Sequence, residues 1–251
     1  MVKPAGAVCA APETGDVSAP PQGTDYFFRR HPLTPWQVRA SLCVRRQVYD
    51  WFAARVGGVR GKTFLEHGAT PDTERGDSNC FIRWLLADGA HVYAASPEDI
   101  RGLTAAFPGL RTLPWPLGNA DFADVQYVIS SAVLEHAGPA AQQKTYLAAL
   151  LRARRPLLLT TPNRRHWLEF HTKLPLLHWL PKRVHRRLLS LLGFRAWARE
   201  EHLNLVTAAE LTQLLDAASQ TTGVGLRLTW HRPVFLGMVS NLVVLVEPEP
   251  A

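Results

Sequence analysis

Cysteine is scarce in this sequence and follows no pattern. The three cysteines, Cys9, Cys43 and Cys80, are widely spaced and form no C-x-x-C pair. Zinc sites and disulfide frameworks built on cysteine need several such residues at characteristic spacings, so both are excluded. A reducing compartment is the simple interpretation.

Long apolar runs are also missing. No stretch approaches the roughly 20 consecutive apolar residues that a membrane-spanning helix needs. Residues 1–25 are rich in Ala, Pro, Gly and Ser and lack the apolar core of a signal peptide. We therefore expect a cytoplasmic protein whose residues 1–25 form a flexible tail.

Two phosphate-binding motifs are absent as well. The sequence contains neither the G-x-G-x-x-G of dinucleotide-binding enzymes nor the Walker loop. This argues against a nucleotide-sugar or dinucleotide enzyme. The formal net charge of +7 permits an anionic partner, but it is too moderate to demand nucleic acid, and none is expected.

The remaining composition is that of a globular protein. Of 251 residues, 47% are apolar and 20% are charged, enough for one large α/β domain or a tight pair. After the tail, residues 26–58 are predicted to form a helical segment. Residues 59–251 are predicted to form the main domain.

Within that domain, buried strand patterns alternate with helical ones. Strands are predicted at 62–66, 90–95, 125–129, 156–161, 225–230 and 240–246. Helices are predicted at 35–56, 79–87, from Ser96 onward, 139–153 and 207–219. This alternation predicts a parallel sheet covered by helices on both faces, with ligands bound beyond the carboxyl ends of its strands.

Three segments at those strand ends carry a family resemblance. They read FLEHGATPD, ISSAVLEHAG and LLLTTPNRRHW, in this order. Together they resemble class I S-adenosylmethionine-dependent methyltransferases, and in particular a bacterial subgroup whose first loop reads G-x-T-P-D-T. The similarity runs from about Thr63 to Leu215. It implies a Rossmann-like seven-stranded sheet with the last strand antiparallel, S-adenosylmethionine as cofactor, and attack by an acceptor nucleophile on a sulfonium methyl group.

The resemblance also implies residues for the methionine part of the cofactor. Glu66 and Gly68 match the acid and the first glycine of the family's first motif, and a carboxylate favours a nearby positive charge. Thr70, Asp72 and Asn79 would wrap the same part of the molecule. The competing interpretation is that these short polar residues only cap a helix and form turns.

The residues for ribose and adenine depart from the family pattern. The second strand ends without the acid that normally accepts both ribose hydroxyls. Either Ser96 or Glu98 replaces it, or ribose binding is weakened; Glu98 could instead complement the start of a helix. In the segment that resembles the adenine loop, Asn119 or Asp121 would contact the base.

The acceptor side is predicted at the fourth and fifth strands. Ser130 and Ser131 would face the sulfonium, and His136 could act as a general base. Asn163 would lie beside the acceptor pocket. In the alternative view His136 packs a helix and Asn163 forms a turn.

A basic insert, residues 164–200, follows the fifth strand. Residues 151–200 hold twelve Lys or Arg against two Glu, so most of the excess positive charge lies here. The insert could be a lid over an anionic acceptor, a membrane-surface element through residues 174–192, or a solvated helical cap. No metal site is expected, because Pro175 separates His171 from His178 and no acid or Cys has suitable spacing.

Two functional hypotheses follow. The first is a methyltransferase that acts on a small-molecule or lipid-like acceptor. The second is a methyltransferase-like fold that no longer catalyses and serves as a binding or scaffold protein.

Overall fold

The computed structural model describes residues 34–250, so the predicted tail at 1–25 lies outside the described residues. Seven strands form one sheet in the order β3-β2-β1-β4-β5-β9-β6. In chain order they are β1 (Thr63–His67), β2 (His91–Ala95), β3 (Leu110–Thr112), β4 (Tyr127–Ser131), β5 (Leu157–Pro162), β6 (Leu226–His231) and β9 (Asn241–Pro248). A two-stranded hairpin, β7 (Val234–Phe235) and β8 (Met238–Val239), lies between the last two.

The strand order reverses between β1 and β4. Glu66 of β1 is in register with Ala94 of β2 on one side and Ile129 of β4 on the other, and both pairings are parallel. Within this sheet β9 alone runs opposite to the other six strands, since it is antiparallel to both β5 and β6. The predicted seven-stranded sheet with its last strand antiparallel is therefore confirmed. Ligands of such sheets bind where the strand order reverses, here beyond Glu66.

Helices cover both faces of the sheet. They are α1 (Thr34–Arg55), α2 (Cys80–Ala87), α3 (Leu103–Ala106), α4 (Ala140–Arg152), α5 (Lys182–Leu191) and α6 (Ala208–Thr222). Alternate strand residues point to opposite faces: Leu157 and Leu159 join the core under α4 and α6, while Leu158 joins the core under α1 and α2. Because both faces are buried, the strands are continuously apolar rather than alternating with polar residues.

Local signals located most elements but not all. At α6, Thr207 accepts a hydrogen bond from the Glu210 amide and Glu210 accepts one from the Thr207 amide, the reciprocal capping that the spacing suggests. The prediction of a helix from Ser96 is wrong: residues 97–102 form a bend and a turn, and α3 begins only at Leu103. The strand β3 and the β7–β8 hairpin were not predicted, since strands of two or three residues are too short to show a periodic pattern.

The basic insert is anchored by a small core of its own. A 3₁₀ turn at Leu177–Trp179 precedes α5. Leu189 and Trp197 pack there with Leu203 and Leu205. Among residues 34–250, no helix is long and apolar enough to cross a membrane.

Candidate functional site

The crevice at the strand reversal contains a buried carboxylate. Glu66 is 5% exposed, and within residues 34–250 its Oε2 has no hydrogen-bond partner. Burial raises the pKa of Glu66 to about 8, although the positive charge of Arg45 opposes the shift. A group that is costly to ionise when unliganded can be stabilised by a ligand that brings a positive charge.

Arg45 is a contributor to this site that the sequence did not reveal. It comes from α1, far from the first loop in sequence, and its Nη1 donates to the Asp77 backbone oxygen at 2.6 Å. Leu42 and Val38 of the same helix lie beside Gly76. Thus α1 supports the first loop from outside, and no local motif signals this role.

Gly68 occupies a position that excludes other residues. Its φ is +88°, and a Cβ placed there would lie 2.5 Å from Cγ2 of Val133. Its amide also donates to the Ala95 oxygen at 2.8 Å, which continues the β1–β2 pairing past the strand end. The chain after β1 therefore passes very close to the segment after β4.

The polar residues of the first loop hydrogen-bond mainly to one another. Asn79 Nδ2 donates to the backbone oxygens of Thr70 and Asp72, and Asn79 Oδ1 accepts from the Thr70 amide. Asp72 accepts from the Ser78 hydroxyl and from backbone amides two and three residues ahead. These contacts are those of the capping-and-turn interpretation. They also fix the shape of the loop around Glu66.

The residues predicted for ribose and adenine lie at the surface or are engaged in local turns. The strand β2 ends at Ala95, where no acid is present, and Ser96 Oγ accepts from the Glu98 amide at 3.2 Å. Glu98 is exposed, although partial burial raises its pKa. Asp121 Oδ2 accepts from the Gly118 amide at 2.7 Å, which caps the short 3₁₀ turn Asn119–Phe122. Asn119 itself is exposed.

A chain of hydroxyls and a histidine lies below the crevice. Ser130 Oγ is 2.7 Å from Tyr146 Oη, which is 3.0 Å from His67 Nδ1. Burial lowers the pKa of His67 to about 4, so the ring is neutral at physiological pH. Ser131 Oγ instead pairs with Thr160 Oγ1 at 3.1 Å. These contacts hold the ends of β4 and β5 in place relative to α4.

At the turn after β4, where the acceptor side is predicted, His136 lies among buried polar groups. Its Nδ1 is 2.7 Å from the His202 backbone oxygen, and its ring stands at 81° to that of His171 with centroids 5.1 Å apart. Burial lowers the pKa of His136, while the neighbouring Glu135 raises it. The structure therefore brings His136 together with Glu135 and with His171 from the insert.

Asn163 connects three segments rather than facing an open pocket. Its Nδ2 donates to the Val239 oxygen at 2.8 Å, and its Oδ1 accepts from the Arg165 amide at 3.0 Å. Its backbone amide donates to Ser240, and the residue forms a bridge with Val206. These bonds agree with a turn and clamp role.

Two cavities are present near the insert. One is lined by Lys182, His185 and Trp197, and the other by Gln143, Lys182 and Glu210. Neither borders Glu66 or Gly68. The Val133 side chain fills the space next to Gly68.

Known structures identify the fold. Neither a protein-family model nor a curated protein matches the sequence. Magnesium protoporphyrin IX methyltransferase from Synechocystis PCC 6803 with bound SAH superimposes with a TM-score of 0.56 at 15% identity, covering 91% of this chain and 95% of that one. The same enzyme with bound SAM gives 0.53 at 16% identity, with 91% and 92% covered. Strand order, the antiparallel β9 and these superpositions agree: the chain has the fold of class I S-adenosylmethionine-dependent methyltransferases.

Proposed function

We propose that this protein is an S-adenosylmethionine-dependent methyltransferase. The main observation in support of this proposal is Glu66. Its carboxylate is buried at the point where the strand order reverses, and in the described residues its Oε2 has no hydrogen-bond partner. S-adenosylmethionine carries an ammonium and a sulfonium, and either cation would stabilise the ionised carboxylate. The cofactor supplies an electrophilic methyl group; the protein supplies binding and alignment.

Each part of the cofactor has candidate residues. Glu66, Gly68 and the loop shaped by Thr70, Asp72 and Asn79 would hold the methionine part. Ser96 or Glu98 would reach the ribose, with Asn119 or Asp121 at the adenine and Ser130 and Ser131 beside the sulfonium. Burial lowers the pKa of His136, which favours the neutral ring that would accept a proton from the acceptor; Asn163 would shape the acceptor pocket. Holding acceptor and methyl group in line supplies much of the acceleration.

The acceptor is proposed to be a small or lipid-like molecule that carries negative charge. The insert exposes a stripe of apolar side chains along α5 and the turn before it, with Leu180 37%, Val184 42% and Leu191 82% exposed. Exposed Arg183 and Arg187 flank this stripe. Apolar and basic groups on one face are typical of contact with an anionic membrane surface or a lipid headgroup.

Calorimetric titration with S-adenosylmethionine and S-adenosylhomocysteine tests the cofactor proposal. We expect both to bind the wild type, and Glu66→Gln to weaken S-adenosylmethionine at least about 10-fold, since one charge–charge contact is worth about 1.4 kcal/mol or more in a buried site. Cys43→Ser, at an exposed site away from the crevice, is the matched control. Absence of any binding heat at millimolar ligand would contradict the proposal.

The surface contact has its own test. Flotation with vesicles that contain anionic lipid should retain the wild type and lose Leu191→Asp. Val234→Asp is a suitable control, because Val234 is likewise an exposed apolar residue, at 52% exposure, but lies on the β7–β8 hairpin. If both variants float like the wild type, the insert has no role at a lipid surface.

The second candidate is a binding or scaffold protein without catalysis. The specific observations in its favour are Val133 above Gly68 and Ala95 at the position where the family has its ribose acid. Mass spectrometry of the purified protein for retained cofactor, followed by transfer of a labelled methyl group to a cell extract, separates the two candidates. Binding without any transfer would favour the scaffold.

A further inference from the structure

We propose that Glu135, His136 and His171 bind one divalent transition-metal ion of the zinc class. One ligand atom from each of these residues lies within 4.8 Å of the others. The three, called here the His–Glu cluster, are assembled from the turn Leu134–His136 after β4 and from the insert. This goes beyond methyl transfer and does not depend on it, and an ion bound here would take the His136 lone pair that a general base needs.

The carboxylate of the cluster has one oxygen fixed and one without a partner. Thr161 Oγ1 donates to Glu135 Oε2 at 2.9 Å. Glu135 is fully buried, and within the described part of the chain its Oε1 accepts no hydrogen bond. A buried carboxylate oxygen without a partner carries a large desolvation cost, which a metal ion would offset.

Both histidines are oriented as metal ligands usually are. His136 Nδ1 faces the His202 carbonyl at 2.7 Å, and a carbonyl only accepts, so Nδ1 carries the hydrogen. His171 Nδ1 is 2.6 Å from Glu169 Oε1, which places its hydrogen there too. When each ring is neutral, its lone pair is therefore on Nε2; His171, whose proton Glu169 stabilises, would release that proton on binding the ion. Such outer hydrogen bonds fix the tautomer and orientation of metal-bound histidines.

Glu169 is itself held firmly behind His171. Besides the ring, its carboxylate accepts hydrogen bonds from the His171 amide at 2.8 Å, the Thr172 amide at 2.6 Å and the Thr172 hydroxyl at 2.7 Å. The carboxylates of Glu135 and Glu169 together balance the charge of one dication. A charge-balanced site avoids the cost of a net buried charge.

The surroundings and the donor set indicate the kind of ion. The Trp197 ring lies 4.7 Å from the His171 ring and 6.1 Å from the His136 ring, centroid to centroid, and forms an apolar wall. Two imidazoles and one carboxylate suit zinc and its transition-metal neighbours, whereas magnesium prefers oxygen ligands and water. With three protein ligands, a further position remains for water or a substrate oxygen.

This cluster departs from the expectation that no metal is bound. Sequence spacing gave no reason to join Glu135 and His136 to a histidine 35 positions later. They meet because the insert folds back over the end of β4, and just after the insert the Asn204 amide donates to the Glu135 backbone oxygen at 2.8 Å. The alternative is that His171 simply bridges two carboxylates as a protonated ring, in which case zinc has no place to bind.

Zinc titration of chelator-treated full-length protein tests the proposal in the absence of any methyl donor. We expect about one Zn²⁺ per chain, bound at least about 100-fold more weakly by His171→Gln and by Glu135→Gln, each of which loses a ligand. His91→Gln, at an exposed histidine outside the cluster, should bind as the wild type does. Excess Mg²⁺ should not compete. Equal Zn²⁺ binding by wild type and His171→Gln would overturn the proposal.

Two further measurements keep the test independent of folding and of the proposed function. Co²⁺ should give visible absorption bands in the wild type that are lost in His171→Gln, with native circular dichroism as the folding check. Glu169→Gln leaves all three ligands in place and should lower affinity by about 10- to 100-fold through the outer hydrogen bond. Glu66→Gln should bind Zn²⁺ normally, so failure of cofactor binding and failure of metal binding are distinguishable.

Discussion

Glu66 at the crevice and Glu169 in the insert are almost equally buried, at 5% and 3% exposure, yet their surroundings are opposite. Glu66 has an oxygen without a partner in the described residues, and burial raises its pKa to about 8. Burial alone would also raise the pKa of Glu169, but the charge of His171 and the hydrogen bonds from His171 and Thr172 outweigh it and lower the pKa to about 2.

This difference distinguishes a buried carboxylate that lacks hydrogen-bond partners, as a ligand site would, from one whose partners are all supplied by the protein. The insert supplies donors for Glu169 within three residues of the chain, so its carboxylate stabilises the fold. The crevice gives Glu66 too few hydrogen-bond donors, so burial of its carboxylate destabilises the folded state. A cationic ligand would offset this desolvation cost. Unsatisfied buried groups therefore indicate function more strongly than buried charge as such.

The largest expected effect is at Glu66. The folded chain keeps the Glu66 proton up to about pH 8, whereas the unfolded chain releases it near its ordinary pKa of 4.5. In this window the folded state binds more protons, so rising pH destabilises the wild type. The free energy of unfolding of Glu66→Gln relative to wild type should rise by on the order of 4 kcal/mol from about pH 4.5 to about pH 8. Urea unfolding at several pH values measures it; a difference independent of pH would contradict the assignment.

Glu169 should behave in the opposite way. Its pKa is depressed from 4.5 to about 2, so its contribution is complete above the unfolded pKa and is lost as pH falls through about 2. We expect Glu169→Gln to lose about 3 kcal/mol of unfolding free energy at pH 7 and only about 1 kcal/mol at pH 3. The measurement is urea unfolding with a chelator present. A deficit that stayed constant down to pH 3 would show that the carboxylate charge is not what stabilises the insert.

Most strands of the sheet could be predicted from the sequence, because each of them is a short run of apolar residues that is recognisable without knowledge of the rest of the chain. Six buried apolar runs, punctuated by Gly, Pro and polar residues, located β1, β2, β4, β5, β6 and β9. The reciprocal cap at Thr207 and Glu210 was equally local. The helix expected at Ser96 was wrong because Ser, Pro and acids favour turns as readily as helix starts, and here Ser96 Oγ and the Asp99 carboxylate accept backbone amides two residues ahead.

The candidate site was less predictable, because its parts come from distant segments. Glu66 and Gly68 were found through their motif, but Arg45 reaches the same loop from α1. His171 meets His136 through the fold of the insert. Neither hydrophobic periodicity nor residue spacing predicts these contacts, because they depend on how irregular loops pass over the edge of the sheet.

Two glycines with nearly the same φ sharpen the comparison at a smaller scale. Gly68 in the crevice and Gly193 in the insert have φ of +88° and +87°. A Cβ at Gly193 meets nothing within 4 Å, whereas one at Gly68 lies 2.5 Å from Val133. Gly193→Ala should cost about 1 kcal/mol for backbone strain, and Gly68→Ala about 2 kcal/mol more for the collision.

Unfolding of both variants and of the double variant Gly68→Ala/Val133→Ala measures the collision. Removal of the Val133 methyl groups should recover part of the extra loss at Gly68. If both single variants lose the same free energy of unfolding, the two loops do not approach closely in solution and the contradiction lies in the Gly68–Val133 contact.

The smallest loss of unfolding free energy is expected at the N-terminus of α6, where the local sequence alone specifies the capping interaction. Thr207 Oγ1 accepts from the Glu210 amide at 3.2 Å and caps α6, whereas Thr212 in the same helix is half-buried and donates to the Ala208 oxygen at 3.0 Å in a solvent-exposed hydrogen bond. Thr207→Ala should lose about 1 kcal/mol of unfolding free energy, because an N-terminal amide of the helix loses its acceptor. Thr212→Ala should change it by less than about 0.5 kcal/mol, since its hydroxyl can bond to water instead. Equal losses of unfolding free energy at both positions would mean that side-chain bulk, rather than capping, accounts for the effect. The contribution of Thr207 would then depend on the packing of α6 against α4.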